Sequence, residues 1–238
     1  MNSAAPLHRE RVPDRPHPAV AAAWTQVFRA PHVLRVVPDG CMDVLWTPHG
    51  LQVAGPDTGP QLVPGEPGQV YVGVRMRPRY GAHLLGVPAA AVRDARPPLA
   101  EFWPAPEVDR LTEQLAATPD PTTAARLLER AVCARFAALG SPDPVLTVLA
   151  RVVRRTTVAE AADRIGLSER QLRRRCLDAF GYGPKTLQRV LRFQHALRLA
   201  RGGVPLATVA AEAGYADQAH LAREVRALAG APLRVLLR

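Results

Sequence analysis

Two stretches near the C-terminal end share one pattern, and that pattern restricts the fold more than anything else in the chain. Val158 to Gly181 reads VAEAADRIGLSERQLRRRCLDAFG, and Leu206 to Gly230 reads LATVAAEAGYADQAHLAREVRALAG. Each sets an alanine ahead of a glycine, as Ala162-x3-Gly166 and Ala210-x3-Gly214, and each then reaches an apolar pair at i, i+4, Leu172 with Cys176 and Leu221 with Val225. The second copy is one residue longer at its turn. A small residue lets two helices cross closely, glycine allows a left-handed turn, and the apolar pair anchors the second helix on its support. The result is helix, glycine turn, helix, twice.

Anchoring by one face leaves the other outward. In the first copy that face carries Glu169, Arg170, Arg173 and Arg174; in the second it carries Gln218, Ala219, Ala222 and Arg223, with His220 beside them. Arginine can bind guanine in bidentate fashion in the major groove, and glutamine can pair with adenine. Helical bundles often contain such a turn, and arginine faces are often merely solvated, so the pattern alone is not decisive. Charge adds weight. Residues 1–144 hold 14 Arg and 14 Asp or Glu, whereas residues 145–238 hold 16 Arg and one Lys against 7 acids, so the whole net charge of +10 lies in the last 94 residues. A neutral half joined to a strongly basic half implies a polyanionic partner for the latter, and double-stranded DNA fits. Thirty Arg to one Lys also points to a GC-rich genome, which is a codon effect.

Helices are expected near 145–155, 158–165, 168–179, 184–201, 206–213 and 217–228. Thr157-x-x-Glu160 and Ser168-x-x-Gln171 fit the capping box, and Pro184 suits a first helical turn. The strings Gly181-Tyr182-Gly183-Pro184-Lys185, Arg189-x-x-Arg192-Phe193-x-x-Ala196-Leu197 and Gly214-Tyr215-Ala216-Asp217-Gln218-Ala219-His220-Leu221-x-Arg223-Glu224 make the likeness specific. Over about 90 residues this region resembles the AraC/XylS-type DNA-binding domain of bacterial transcription regulators. The resemblance implies seven helices, with two helix-turn-helix units joined by a long helix and reading successive major grooves about one turn (~34 Å) apart. It assigns base reading to Arg170, Arg173 and Arg174 in the first unit and to Gln218, Ala219 and Arg223 in the second. It assigns phosphates or the groove rim to Ser168, Lys185 and His220. Cys176 and Val225 replace the family's usual Phe, and Ala219 cannot hydrogen-bond a base, so the first unit should dominate specificity.

Ahead of this module the pattern changes. Residues 1–18 contain four prolines and read as a flexible arm. HVLRVV, CMDVLW, LQVAG, QLV and QVYVGVRM read as strands separated by Gly/Pro turns. Helical signals follow at YGAHLLG, PAAAVRD, Val108–Thr118 and Thr122–Leu139. In the last, Leu128, Val132, Phe136 and Leu139 form one apolar stripe that must bury against its own domain or a second protomer. Gly140-Ser141-Pro142-Asp143-Pro144 breaks the helix there. The expected fold is therefore α+β: a β-rich, barrel-like sensing or dimerisation domain with trailing helices over 19–140, a linker at 141–144, and an all-α double helix-turn-helix domain over 145–238.

Pro38-Asp39-Gly40-Cys41-Met42-Asp43-Val44-Leu45-Trp46 and Val72-Gly73-Val74-Arg75-Met76-Arg77-Pro78, with Ala54-Gly55-Pro56 and Leu85-Gly86-Val87-Pro88, resemble an N-terminal domain found on some AraC-type regulators of high-GC bacteria. That resemblance names no ligand. Alternation places Cys41, Asp43 and Leu45 on one face and Met42, Val44 and Trp46 on the other, and puts Arg75 and Arg77 together. Asp43–Arg75 or Asp39–Arg77 pairing is open. One reading is a small-molecule pocket in which Arg75 or Arg77 meets an anionic group beside Trp24, Trp46 or Trp103. The competing reading is a structural ion pair with core tryptophans.

Other functions are constrained by what is missing. Cys41, Cys133 and Cys176 are odd in number and scattered, with no CxxC, so neither a zinc site nor a disulfide framework is expected, and no cofactor is implied. Cys41 with His49 or His83 makes no recurring catalytic order, and a methyl-acceptor repair protein of the Ada-like kind needs a four-Cys zinc site. No apolar run of about 18 residues and no apolar leader is visible, so a cytoplasmic chain without membrane contact is expected. The expected partners are DNA, an effector, a second protomer and, for an activator, RNA polymerase. The alternative is an architectural protein that binds DNA without sequence preference.

Overall fold

The computed structural model describes residues 7–12, 17–140, 142–153 and 156–237. The chain is α+β. Among the described residues its first half has seven strands: β1 (Leu7–Arg11), β2 (Val20–Val27), β3 (His32–Val36), β4 (Met42–Thr47), β5 (Gly50–Ala54), β6 (Gln61–Gly65) and β7 (Val70–Met76). They form a five-stranded sheet, β1-β2-β7-β4-β5, and a two-stranded sheet, β3-β6, with every pairing antiparallel. Helices α1 (Tyr80–Leu85), α2 (Ala105–Ala116) and α3 (Pro121–Leu139) follow, with short 3₁₀ turns at Ala89–Val92 and Leu99–Glu101.

One face of the larger sheet is apolar by alternation. Met42 and Val44 of β4 and Val72, Val74 and Met76 of β7 are buried there, under Leu128, Val132 and Phe136 of α3. The α3 stripe is thus covered by its own sheet, so it does not supply the dimer interface that a bare stripe would offer. Leu139, at its end, is 38% exposed.

The arm expected over residues 1–18 is a strand where it is described at Leu7–Arg11. Registered against β2 from Leu7↔Val27 to Arg11↔Ala23, β1 is an edge strand held by backbone hydrogen bonds, and Arg11 adds an ion pair with Glu129 of α3. His8-Arg9-Glu10 offers no alternation, so side chains carry no strand signal. Residues 1–6 and 13–16 of the expected arm lie outside the described residues.

The second half is helical: α4 (Val145–Val153), α5 (Val158–Ile165), α6 (Glu169–Phe180), α7 (Pro184–Arg201), α8 (Leu206–Glu212), α9 (Gln218–Ala229) and α10 (Leu233–Leu236). Its separate core gathers Leu149, Leu172, Cys176, Leu187, Val190, Phe193, Leu197, Val209, Leu221 and Val225. Both expected capping boxes form, and Pro184 opens α7. The halves also touch: the Gln194 side chain of α7 donates to the Pro38 carbonyl at 2.7 Å, and the Tyr182 hydroxyl donates to the Asp57 carbonyl at 2.6 Å.

Leu128→Ala empties a fully buried site between α3 and the sheet and should cost about 2–5 kcal/mol. Leu139→Ala, at the exposed end of the same stripe, should stay within about 0.5 kcal/mol. Denaturant unfolding of both variants checks this; equal costs would place Leu139 in an interface between protomers.

Candidate functional site

In the first helix-turn-helix unit, α5 ends on Gly166 in the left-handed region (φ 70°), and Leu167 N–H returns to the Ala162 carbonyl at 2.9 Å. Ala162 is buried at the crossing, and α6 hangs from Leu172 and Cys176, each 0% exposed. Its other face leaves Glu169, Arg170, Arg173 and Arg174 exposed. The neighbouring Arg175 is held by Asp143 at 2.5 Å, tying α6 to the segment before α4. Ser168 is occupied as the cap: its hydroxyl accepts from Gln171 N–H at 3.3 Å and donates to Gln171 Oε1 at 3.0 Å. Lys185 is exposed in the first turn of α7.

The second unit repeats the geometry. Gly214 has φ 78°, and Tyr215 N–H reaches the Ala210 carbonyl at 2.8 Å. Helix α9 is anchored by Leu221 and Val225, which leaves Gln218, Ala219, Ala222 and Arg223 exposed. His220 sits half-buried with its ring edge-on to Tyr215 at 5.2 Å, and its Nδ1 accepts from Ala216 N–H at 3.3 Å. It therefore shapes the turn, which competes with the rim role expected of it.

Four residues of the motif have a role that spacing did not reveal. Arg189 of α7 donates through Nε and Nη2 to Glu224 of α9 at 3.0 and 3.1 Å, and Arg192 stacks over the Tyr215 ring at 4.8 Å. This fork clamps the second unit on α7. The shared sequence of the two units gave no signal for it, because the partners lie 35 residues apart.

In the β-rich half, the register places Asp43 opposite Arg75. Arg75 Nε lies 3.4 Å from Asp43 Oδ1 and 3.5 Å from Asp39 Oδ2, so one arginine serves both carboxylates. Trp24 Nε1 donates to Asp43 Oδ1 at 3.2 Å, and Cys41 N–H donates to Asp39 Oδ1 at 2.8 Å. The Trp24 ring lies over Gly73, where an added Cβ would fall 2.2 Å from it; only glycine admits this stacking. Burial raises the Asp39 carboxyl above its ordinary range, partly offset by Arg75. Burial also pushes the Cys41 thiol well up, helped by Asp39, the opposite of what an activated thiolate needs. Cys176, in the helical core, is pushed up to about 12 by burial.

Trp24, Asp39, Cys41, Asp43 and Arg75 therefore come together. Three expected pocket residues do not join them. Arg77 lies past the end of β7 and is exposed, so Arg75 takes the place that an Asp39–Arg77 pair would have had. Trp46 packs on the opposite, α3-covered face. Trp103 is buried in the helix-side core with the Arg135 guanidinium 5.8 Å from its ring. One residue that the sequence did not flag is Gln26, two positions along β2 from Trp24 on the same face. It is 1% exposed, and both its amide atoms are buried without a hydrogen-bond partner.

Residues 161–238 match the family described as a helix-turn-helix domain, and residues 15–98 match the family described as a domain of unknown function (DUF6597). No curated protein matches the chain. Among solved structures, ToxT from Vibrio cholerae O395 is 10% identical, over 90% of this chain and 95% of that one, with a TM-score of 0.46. A 1.65 Å structure of ToxT from Vibrio cholerae is 8% identical over 97% of both chains, with a TM-score of 0.45. Unsaturated fatty acid bound ToxT from strain SCE256 is 11% identical over 98% of this chain and 93% of that one, with a TM-score of 0.43.

Replacing Arg75 with Met leaves Asp39 and Asp43 facing each other without a cation and should cost about 1–3 kcal/mol at neutral pH. The Asp39 carboxyl, already raised, loses the charge that lowers it. A carboxyl raised in the folded state favours folding at low pH and loses that contribution as pH rises through its folded value. The deficit against wild type should therefore narrow on acidification towards pH 4. Urea unfolding at several pH values measures it, and a deficit independent of pH would assign the loss to packing.

Proposed function

Starting from a C-terminal helix-turn-helix domain of the AraC type over residues 161–238, we propose that the chain is a bacterial transcription regulator that binds duplex DNA sequence-specifically through both units. The observation that carries this reading is the pairing of buried and exposed faces on two matched helices. Leu172 and Cys176 fix α6, and Leu221 and Val225 fix α9, so Arg170, Arg173 and Arg174 on one and Gln218, Ala219 and Arg223 on the other are left to meet base edges. Lys185 meets a phosphate. Ser168 and His220 stand at the rim, where cap and turn already engage them. The positive charge of residues 145–238 supplies the non-specific part of the affinity.

Residues 145–238 act as the DNA-binding domain, 141–144 as linker, and 19–140 as the sensing or dimerisation domain. A small-molecule effector would meet Trp24, Asp39, Cys41, Asp43 and Arg75. Buried, unpartnered Gln26 supports this, since such an amide is costly unless something satisfies it. The cluster is read as a binding site; burial pushes the Cys41 thiol well up, away from a reactive thiolate. The chain works in the cytoplasm, with RNA polymerase as a further partner if it activates; among the described residues no helix is long and apolar enough to cross a membrane.

Selection of bound duplexes from a random pool should yield one motif with two half-elements, preferred over random DNA by roughly 10³-fold or more. On that motif Arg173→Ala should cost about 1–3 kcal/mol and relax one base position, while Lys185→Ala weakens all sequences alike and lowers the salt slope by about 1. Equal binding to every duplex would make the protein an architectural binder instead.

A further inference from the structure

The two outward helices end in the same way. Helix α6 stops at Gly181 (φ 75°) and α9 at Gly230 (φ 62°), both left-handed. At each end the β-rich half supplies an arginine and a proline. Arg93 donates to the Gly181 carbonyl at 3.2 Å, and Arg35 donates to the Ala229 carbonyl at 2.9 Å. A Cβ on Gly181 would fall 2.4 Å from Pro56 Cγ, and one on Gly230 would fall 3.0 Å from Pro60 Cγ. A guanidinium is favoured at a helix C-terminus, where carbonyls lack intrahelical partners and the dipole is negative.

Pro56 and Pro60 bound a single loop between β5 and β6, so one loop touches both helix ends. Between them the Asp57 carbonyl accepts from the Tyr182 hydroxyl. The loop itself is pinned. The Asp57 carboxylate pairs with Arg96 at 2.7 Å, Thr58 donates through N–H and hydroxyl to Asp94 at 2.6 and 2.8 Å, and Asp94 N–H returns to the Pro56 carbonyl at 3.2 Å. All these contacts lie at the C-terminal ends of α6 and α9. Arg170, Arg173, Gln218 and Arg223 lie nearer the N-terminal ends, which in helix-turn-helix proteins meet the bases, and they are exposed.

We infer that the Pro56–Pro60 loop, with Arg35 and Arg93, is a brace that sets the separation of the two helices, so that the β-rich half determines which spacing between DNA half-elements is accepted. Arg35 and Arg93 are positioning residues, and the inference rests on the DNA-binding reading above.

The test uses the full chain and duplexes carrying its selected half-elements at the native spacing or changed by one or two base pairs. Wild type should lose about 10-fold or more in affinity when the spacing changes. The Arg35→Ala/Arg93→Ala double variant should bind the native spacing more weakly and lose less than about 3-fold on changing it, while discrimination at the base read by Arg173 stays intact. Tyr182→Phe, which removes one hydroxyl, gives a second variant that should shift the same way even if the double variant fails to fold. A wild-type spacing profile in the variants overturns the brace. Tighter binding by the variants at every spacing also overturns it, since the contacts would then hold the units away from DNA. A wild-type chain with no sequence preference at all overturns the DNA reading and the brace with it.

Discussion

Burial of one face of α7 is the constraint on which the helical half depends. Leu187, Val190, Phe193, Ala196 and Leu197 are at most 1% exposed, and both helix-turn-helix units pack against this helix. Its 18 residues, at 1.5 Å each, give both units one common support. The Arg189–Glu224 fork and the Arg192–Tyr215 stack then fix how the second unit is rotated on that support. Neither unit could bury its apolar pair alone, so the orientation of the arginine face of α6 and of Gln218 and Arg223 on α9 follows from what each helix hides on α7.

The same helix joins the two halves. Gln194 reaches the Pro38 carbonyl, and Gly40, in the next turn of chain, faces Val190. Between those two contacts lies Asp39, whose carboxylate shares Arg75 with Asp43. A molecule that competed for Arg75 would therefore act on a turn already packed against α7. The Pro38–Cys41 turn thus links the polar cluster directly to α7.

Local chemistry was legible wherever it repeats or alternates. The capping residues Thr157, Glu160, Ser168 and Gln171, the left-handed Gly166 and Gly214, and the crossing alanines Ala162 and Ala210 could all be read from spacing, because each answers a requirement within a few residues. The alternation of Met42, Asp43 and Val44 likewise gave the face on which Asp43 lies, but left open whether it or Asp39 would pair, and with which arginine; the strand register decided that. Long-range demands left no such trace. Strand β1 is held by backbone pairing and by a partner in α3; Trp46 and Trp103 were distributed by packing between layers; and Arg35 and Arg93 act on carbonyls 194 and 88 residues away. The rim roles of Ser168 and His220 were complicated for a related reason: a side chain that can meet a phosphate can also satisfy its own backbone.

Hydroxyl-radical footprinting of the full chain on its selected site shows whether two matched helices read DNA on one face of the duplex. Two short protected patches are expected on the same face, separated by about one helical turn of 10–10.5 base pairs. Continuous protection without phase, or protection that moves freely with sequence, would contradict it.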